Sequence, residues 1–288
     1  MSFWRAKSKG RNPKRAQRAE RTPHHNTVPT DPLQPLLGAT LVLVAHPDDE
    51  VIACGALMQR MEKAVVLFAT DGAPRDERFW KQHGSRHAYA GLRRQEAALA
   101  LRTAGATAMF LPDHVEGGIV DQELFRNLPA AIAAVEKIMD QFKPTSIATL
   151  AYEGGHPDHD AVCFIASIVG RRTGTPVWES PLYHRNADGA SVTQIFPRTT
   201  GAEKDFYVEG RLLKKKLQML EHYRSQGLLI DSFQPRRETF RPLAHYDFTQ
   251  PPLPWKLNYE IWQWKMTGQE VSTEFSDYLH REKGGRVP

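Results

Sequence analysis

Four short apolar runs constrain this chain more than any other feature. They are ATLVLVA (39–45), AVVLFAT (64–70), ATAMFLPD (106–113) and TSIATLA (145–151). Each is too short for a core helix and rich in β-branched residues, as strands buried on both faces are. Helical spacing fills the gaps, at 51–63, at 93–105 (closed by Gly105), at 123–142 and at 158–172. Pro129 kinks or starts the third of these helices. A fifth strand is expected at 175–183. Strands alternating with helices imply right-handed crossovers and a mostly parallel sheet. The expected fold class is therefore α/β and Rossmann-like, with helices on both faces. No G-x-G-x-x-G follows the first strand, so a dinucleotide fingerprint is absent.

Charge divides the chain. Residues 1–31 hold eight Lys or Arg against two acids, so the formal net charge of +5 belongs to this end and the remainder is close to neutral. Residues 1–38 read as a basic arm without apolar period, a solvated tail more than a polyanion anchor. The α/β domain is expected over 39–288, with the less regular 200–288 packed beside the active rim. There the helix 209–226 puts Leu213, Leu217 and Leu220 on one face and turns the lysines at 214–216 to water. No apolar run approaches the roughly 20 residues that span a bilayer, and no signal-peptide core is visible. Cys54 and Cys163 lack partners at metal-binding spacing and read as buried free thiols, which fits a cytoplasmic setting. The oligomeric state stays open.

In open α/β sheets the ligand crevice lies beyond the carboxyl ends of the strands. This chain places His46, Asp48, Asp49 and Glu50 after the first strand, Thr70, Asp71 and Gly72 after the second, and Asp113 after the third. After the fourth come His156, Asp158, His159 and Asp160. Two His-Pro-Asp tripeptides about 110 residues apart thus reach one rim. A divalent cation would offset the repulsion among three adjacent carboxylates. Histidine nitrogen and aspartate oxygen suit Zn²⁺ or Fe²⁺ better than Mg²⁺. A carboxylate outside the metal shell could then act as general base. The competing reading makes His46 and Asp48 a turn and helix cap, with Asp49 and Glu50 favoured by the helix dipole. It explains the acids but not the two histidines that meet them. Asp158 could orient an imidazole or cap its helix.

The motifs AHPDDE and GGHPDH, with TDG (70–72) and RRQE (93–96) between them, resemble the zinc-dependent N-acetylglucosamine deacetylases of the PIG-L/LmbE family. The resemblance runs from about residue 39 to about 182. HYRSQ (222–226) and LNYEIWQW (257–264) are similar to C-terminal features of part of that family. The resemblance implies one zinc per chain, or iron in its place, held by His46, Asp49 and His159. It implies that Asp48 is the general base, that His156 stabilises the oxyanion or acts as acid, and that Arg93 and Asp113 hold the sugar. Some members carry a tyrosine where this chain has Gly154, and Tyr152 lies out of register. The expected activity is hydrolysis of the N-acetyl group of an N-acetylglucosamine-type sugar or glycoconjugate. Another metal-dependent amidase or phosphoesterase, or a non-catalytic polyanion-binding protein acting through its basic arm, are the alternatives. The loop 74–91 is expected to cover the site. The aromatic stretch 255–264 is read as core packing ahead of a substrate wall. Ser225 and Gln226 end a helix within reach of the rim, as caps or as rim residues. His83, His87 and His114 are set aside.

Overall fold

A computed structural model describes residues 31–285. The basic arm lies outside the described residues up to position 30. Contacts divide the chain at 31/32, and the body begins at Pro32. It begins earlier than composition suggests, because Leu33 and Leu36 are already buried in the core.

The elements in chain order are β1 (Ala39–Val44), α1 (Asp49–Cys54), β2 (Lys63–Phe68), α2 (Arg86–Ala104), β3 (Thr107–Phe110), α3 (Leu128–Phe142), β4 (Ser146–Leu150) and α4 (Pro157–Thr173). They continue with β5 (Val177–Ser180), β6 (Tyr183–Arg185), β7 (Ser191–Thr193), β8 (Lys204–Tyr207), α5 (Gly210–Leu220), α6 (Gly227–Ile230), β9 (Arg237–Pro242), α7 (Asn258–Ile261) and α8 (Gly268–Lys283). The main sheet runs β3-β2-β1-β4-β5-β9-β8. Its first five strands are parallel, and β9 and β8 extend it antiparallel. β6 and β7 form a separate hairpin. The order reverses between β1 and β4, and both His-Pro-Asp motifs leave the sheet at this switch point. Helices α1, α2 and α5 pack together, as do α3, α4 and α8. Val42, Val44, Ile147 and Leu150 are almost wholly buried, as strands covered on both faces must be. No helix of the described residues is long and apolar enough to cross a membrane.

Several expected boundaries move, each for a physical reason. The helix foreseen at 51–63 stops at Cys54. Glu238, arriving from β9, accepts hydrogen bonds from Ala56 N at 2.7 Å and Leu57 N at 2.9 Å and starts a separate 3-10 turn. Helix α2 begins at Arg86, because Ser85 caps it by accepting from Ala88 N. It therefore absorbs the end of the loop foreseen at 74–91. Pro129 sits in the first turn of α3 and starts that helix. Lys216 does not face water. It is buried, donating to Glu238 Oε1 at 2.7 Å and to Ile52 O at 3.1 Å. A buried cation needs such a partner, and the hydrophobic spacing of its helix conceals that need. Cys54 and Cys163 are buried and free, as expected.

Glu238 thus neutralises a buried lysine and satisfies two orphan amides at once. Glu238→Ala should destabilise the protein by about 3–5 kcal/mol, the range for stranding one charge of a buried pair. Denaturant titration checks this. A loss below 1 kcal/mol would mean that water replaces the carboxylate.

Candidate active site

The three adjacent carboxylates after β1 are directed three ways. Asp48 adopts φ 126°, a backbone region that non-glycine residues rarely enter. Its Oδ2 accepts from Arg93 Nη2 at 3.1 Å. Arg93 also donates to Gly72 O at 2.8 Å and Pro47 O at 2.6 Å, so one guanidinium ties the ends of β1 and β2 together. Asp49 turns toward the histidines. Its Oδ2 accepts from His46 N at 2.8 Å and lies 3.4 Å from His46 Nδ1, while its Oδ1 lies 3.3 Å from His159 Nε2. Glu50 points away, accepting from Tyr223 Oη and from Asp48 N.

Burial sets the charge states. It pushes the Asp48 carboxyl up to about 7, against the pull of Arg93. It pushes Glu50 up to about 8, so burial opposes a third charge there. Burial opposes ionisation of Asp49 as well, yet the neighbouring His159 imidazole holds that carboxyl well below the ordinary range. Burial, reinforced by His46, lowers His156 to about 4. The imidazolium that oxyanion stabilisation invites is therefore not the favoured state. His156 caps α4, with Nδ1 accepting from Asp158 N at 3.1 Å. An accepting Nδ1 leaves the neutral ring with its proton on Nε2.

Nε2 of His46 lies 3.2 Å from Asp158 Oδ2 and 3.3 Å from Asp121 Oδ1. Asp158 is itself fixed by accepting from Gln122 N at 2.6 Å and Leu124 N at 3.0 Å. It sits in the first turn of α4 but does not cap it, so of its two readings the imidazole-orienting one has the geometry. Asp121 Oδ1 also lies 3.4 Å from His156 Nε2.

The donors fit a divalent metal. Asp49 faces the two imidazoles through different oxygens, 3.4 Å from His46 through Oδ2 and 3.3 Å from His159 through Oδ1, and one ligand atom from each of His46, Asp121, His156 and Asp158 falls within 4.8 Å of the others. One ligand atom from each of His46, His156 and His159 also falls within 4.8 Å of the others. Carboxylates behind a histidine are what a metal-bound imidazole requires of its surroundings.

These groups lie in a cavity of about 220 Å³. His46, Asp48, Asp49, Arg93, His156 and His159 all line it. Asp113 does not. Its carboxylate is half exposed and paired with Arg94 Nη2 at 2.7 Å, because the chain turns into a 3-10 helix right after β3. Asp121, eight residues further on, reaches the cavity instead. It went unnoticed in the sequence, having no motif around it. The aromatic stretch 255–264 divides. Tyr259 is core, while Trp262 and Trp264 form a cavity wall, with the Trp264 ring 4.8 Å from that of His156. Core packing thus accounts for only part of it. Pro74 and Phe79 of the loop and Tyr183 at the start of β6 supply other walls. Gln226 lines the cavity and donates to Tyr89 Oη at 2.6 Å, whereas Ser225 donates to Glu96. Tyr152 bonds Gln250 O outside the cavity, and His83, His87 and His114 do not line it.

Residues 41–169 match the family model described as PIG-L, GlcNAc-PI de-N-acetylase. Over this stretch the chain is PIG-L-like. Among solved structures it is similar to a pseudoaglycone deacetylase of the antimicrobial reagent A40926 (TM-score 0.57, 20% identity, covering 73% of this chain and 98% of that one). It is also similar to teicoplanin deacetylase in a zinc-inhibited form (0.54, 22%, 72% and 98%). A third is the N,N'-diacetylchitobiose deacetylase of Pyrococcus horikoshii (0.50, 18%, 74% and 86%). At these identities the likeness is one of fold. No curated protein matches the chain at a significant level. The PIG-L-like stretch ends inside α4, so the walls from Tyr183, Gln226, Trp262 and Trp264 lie beyond it.

The GGHPDH loop is locked where it meets β6. A Cβ on Gly155 would stand 1.9 Å from Tyr183 O, a backbone atom that cannot step aside. Gly155→Ala should cost at least the roughly 1–3 kcal/mol of an overpacked core and displace His156. A melting curve coinciding with that of the parent would show the loop to be more pliant than this contact allows.

Proposed function

We propose that this chain is a metal-dependent N-deacetylase, removing the acetyl group from an N-acetylglucosamine-type sugar or glycoconjugate with one zinc per chain. One observation carries the reading. Asp49 lies between His46 and His159, 3.4 Å from the one and 3.3 Å from the other through different oxygens, while the adjacent Asp48 is turned aside and held by Arg93. The PIG-L-like stretch contains all five residues and supports the same chemistry.

In this reading His46, Asp49 and His159 hold the metal, and Asp158 orients His46 through Nε2. When bound, the metal polarises the amide carbonyl and makes a water at the site more acidic. Asp48 accepts the proton of the attacking water and returns it to the nitrogen as the C–N bond breaks, giving acetate and a free amine. Arg93 fixes the direction of that carboxylate. Neutral His156 donates from Nε2 to the carbonyl oxygen as it gains charge, the kind of contact worth about 2.7–4 kcal/mol in the transition state. Trp262, Trp264, Phe79 and Tyr183 wall the cavity and limit bulk water.

Metal analysis followed by acetate release from N-acetylated sugars tests the proposal. Release of phosphate from phosphoesters without acetate from amides would replace it with a phosphoesterase. His159→Ala should lose the metal. Asp48→Asn should keep the metal and lose about 10²–10⁴-fold in rate, the contribution of a general base. The opposite pattern, with Asp48→Asn losing metal and Asp49→Asn keeping it, would exchange the two roles.

The sign of the pH dependence follows from the burial of Asp48. The base must be ionised to act, and burial raises its carboxyl to about 7, with a bound cation pulling it back down. kcat/KM should therefore fall as pH drops through a value at or below about 7. Arg93→Gln removes a cation that opposes the burial effect, so the acid limb should move to higher pH. An unmoved limb would assign it to another group.

A further inference from the structure

Asp48 is held at three points. Its carbonyl oxygen accepts from Val51 N and Ile52 N, both at 3.1 Å, in α1. Its carboxylate accepts from Arg93. Its amide donates to Glu50 Oε2 at 3.0 Å. The first two holds stay within the PIG-L-like stretch, and the third leads out of it. Among the described residues the Glu50 carboxylate accepts two hydrogen bonds, one from Asp48 N and one from Tyr223 Oη. Tyr223 follows α5, well beyond residues 41–169.

Tyr223 is anchored as well as packed. It is buried in the main core. Two residues on, Ser225 donates to both oxygens of Glu96, from N at 2.9 Å and from Oγ at 2.6 Å, and so ties the segment to α2. Gln226 donates to Tyr89 Oη at 2.6 Å, and the Tyr89 ring lies 5.9 Å from the Arg93 guanidinium. One short segment therefore reaches the amide of Asp48 through Glu50, and its carboxylate through Tyr89 and Arg93.

Packing alone would be served by a phenylalanine at 223. The hydroxyl is spent instead on a carboxylate whose other oxygen fixes the amide of a residue at φ 126°. Such a backbone persists only where its surroundings over-determine it. Without the hydroxyl one Glu50 oxygen is buried and unpaired, a costly state. The carboxylate then turns to seek another donor, and the Asp48 amide loses its acceptor.

We infer that Tyr223 is a positioning residue for Asp48, acting through Glu50. Its hydroxyl fixes the Glu50 carboxylate, which fixes the Asp48 amide and with it the direction of the base. The inference rests on the deacetylase reading for what Asp48 does, though not for how it is held.

The test uses the full-length, zinc-loaded protein, with methyl N-acetylglucosaminide as the probe and acetate as the product measured. Tyr223→Phe keeps the ring and removes the hydroxyl. It should lower kcat about 10²-fold, the loss that a displacement of about 1 Å brings, and leave KM and the zinc Kd unchanged. Glu50→Ala breaks the same link from its other end and should lower kcat alike. Glu50→Gln keeps an oxygen for Asp48 N and offers an amide to Tyr223 Oη, so it should retain most of the turnover. In an Asp48→Asn background the Tyr223→Phe loss should vanish, because Tyr223 acts only through that carboxylate. A loss of equal size in both backgrounds, or zinc affinity falling in step with kcat in Tyr223→Phe, would make the residue structural and overturn the assignment. Full turnover by Tyr223→Phe would also overturn it. If Tyr223→Phe does not fold, the Glu50 variants decide: a loss in Glu50→Ala restored in Glu50→Gln supports the link, and equal turnover by the two refutes it. If the parent releases no acetate, the deacetylase reading falls, and crystal structures of the parent and of Tyr223→Phe decide the positioning. An Asp48 displaced from Arg93 in the variant supports it, and an Asp48 with unchanged φ and an intact bond to Arg93 refutes it.

Discussion

The site depends on keeping three neighbouring carboxylates from acting as one cluster of charge. Asp48, Asp49 and Glu50 follow one another at the end of a buried strand, where their repulsion is least screened. The backbone of Asp48, with its left-handed φ, turns its carboxylate to Arg93 and leaves Asp49 to the histidines. Glu50 points away from the histidines and accepts from Tyr223 Oη, and burial raises its carboxyl. Such backbone strain costs of order 1–3 kcal/mol and persists where the surroundings over-determine it. Here Arg93, Glu50 and the first turn of α1 do so together.

The same logic recurs one layer out. Asp158 spends its oxygens on Gln122 N, Leu124 N and His46, so the turn before α3 and the imidazole are held by one carboxylate. Glu238 likewise joins β9 to the end of α1 and to Lys216 of α5. Buried charges in this protein are shared between elements that are distant in sequence. Each therefore acts as a cross-link, strong when complete and costly when one partner is removed.

The cavity joins two kinds of material. Its reactive floor comes from the parallel core, at the switch between β1 and β4. Its walls come from the loop after β2, from β6 and from the segments carrying Gln226, Trp262 and Trp264. A rigid floor with walls built from loops is how one fold accommodates many substrates.

The sequence by itself determined the parallel core and the floor of the site. Short β-branched runs alternating with helical spacing have one stable layered arrangement, and strand ends at the switch point bring His46, Asp48, Asp49, His156 and His159 together. These are local signals, readable within a few residues. Only the tertiary structure decided that Lys216 is buried, that α1 stops at Cys54, that Asp113 turns outward to Arg94, and that Asp121, Trp262 and Trp264 enter the cavity. Each of these is settled by a partner far away in the chain, Glu238 for Lys216 and α1, His46 and His156 for Asp121. No periodicity or motif records a partner that sequence does not place nearby.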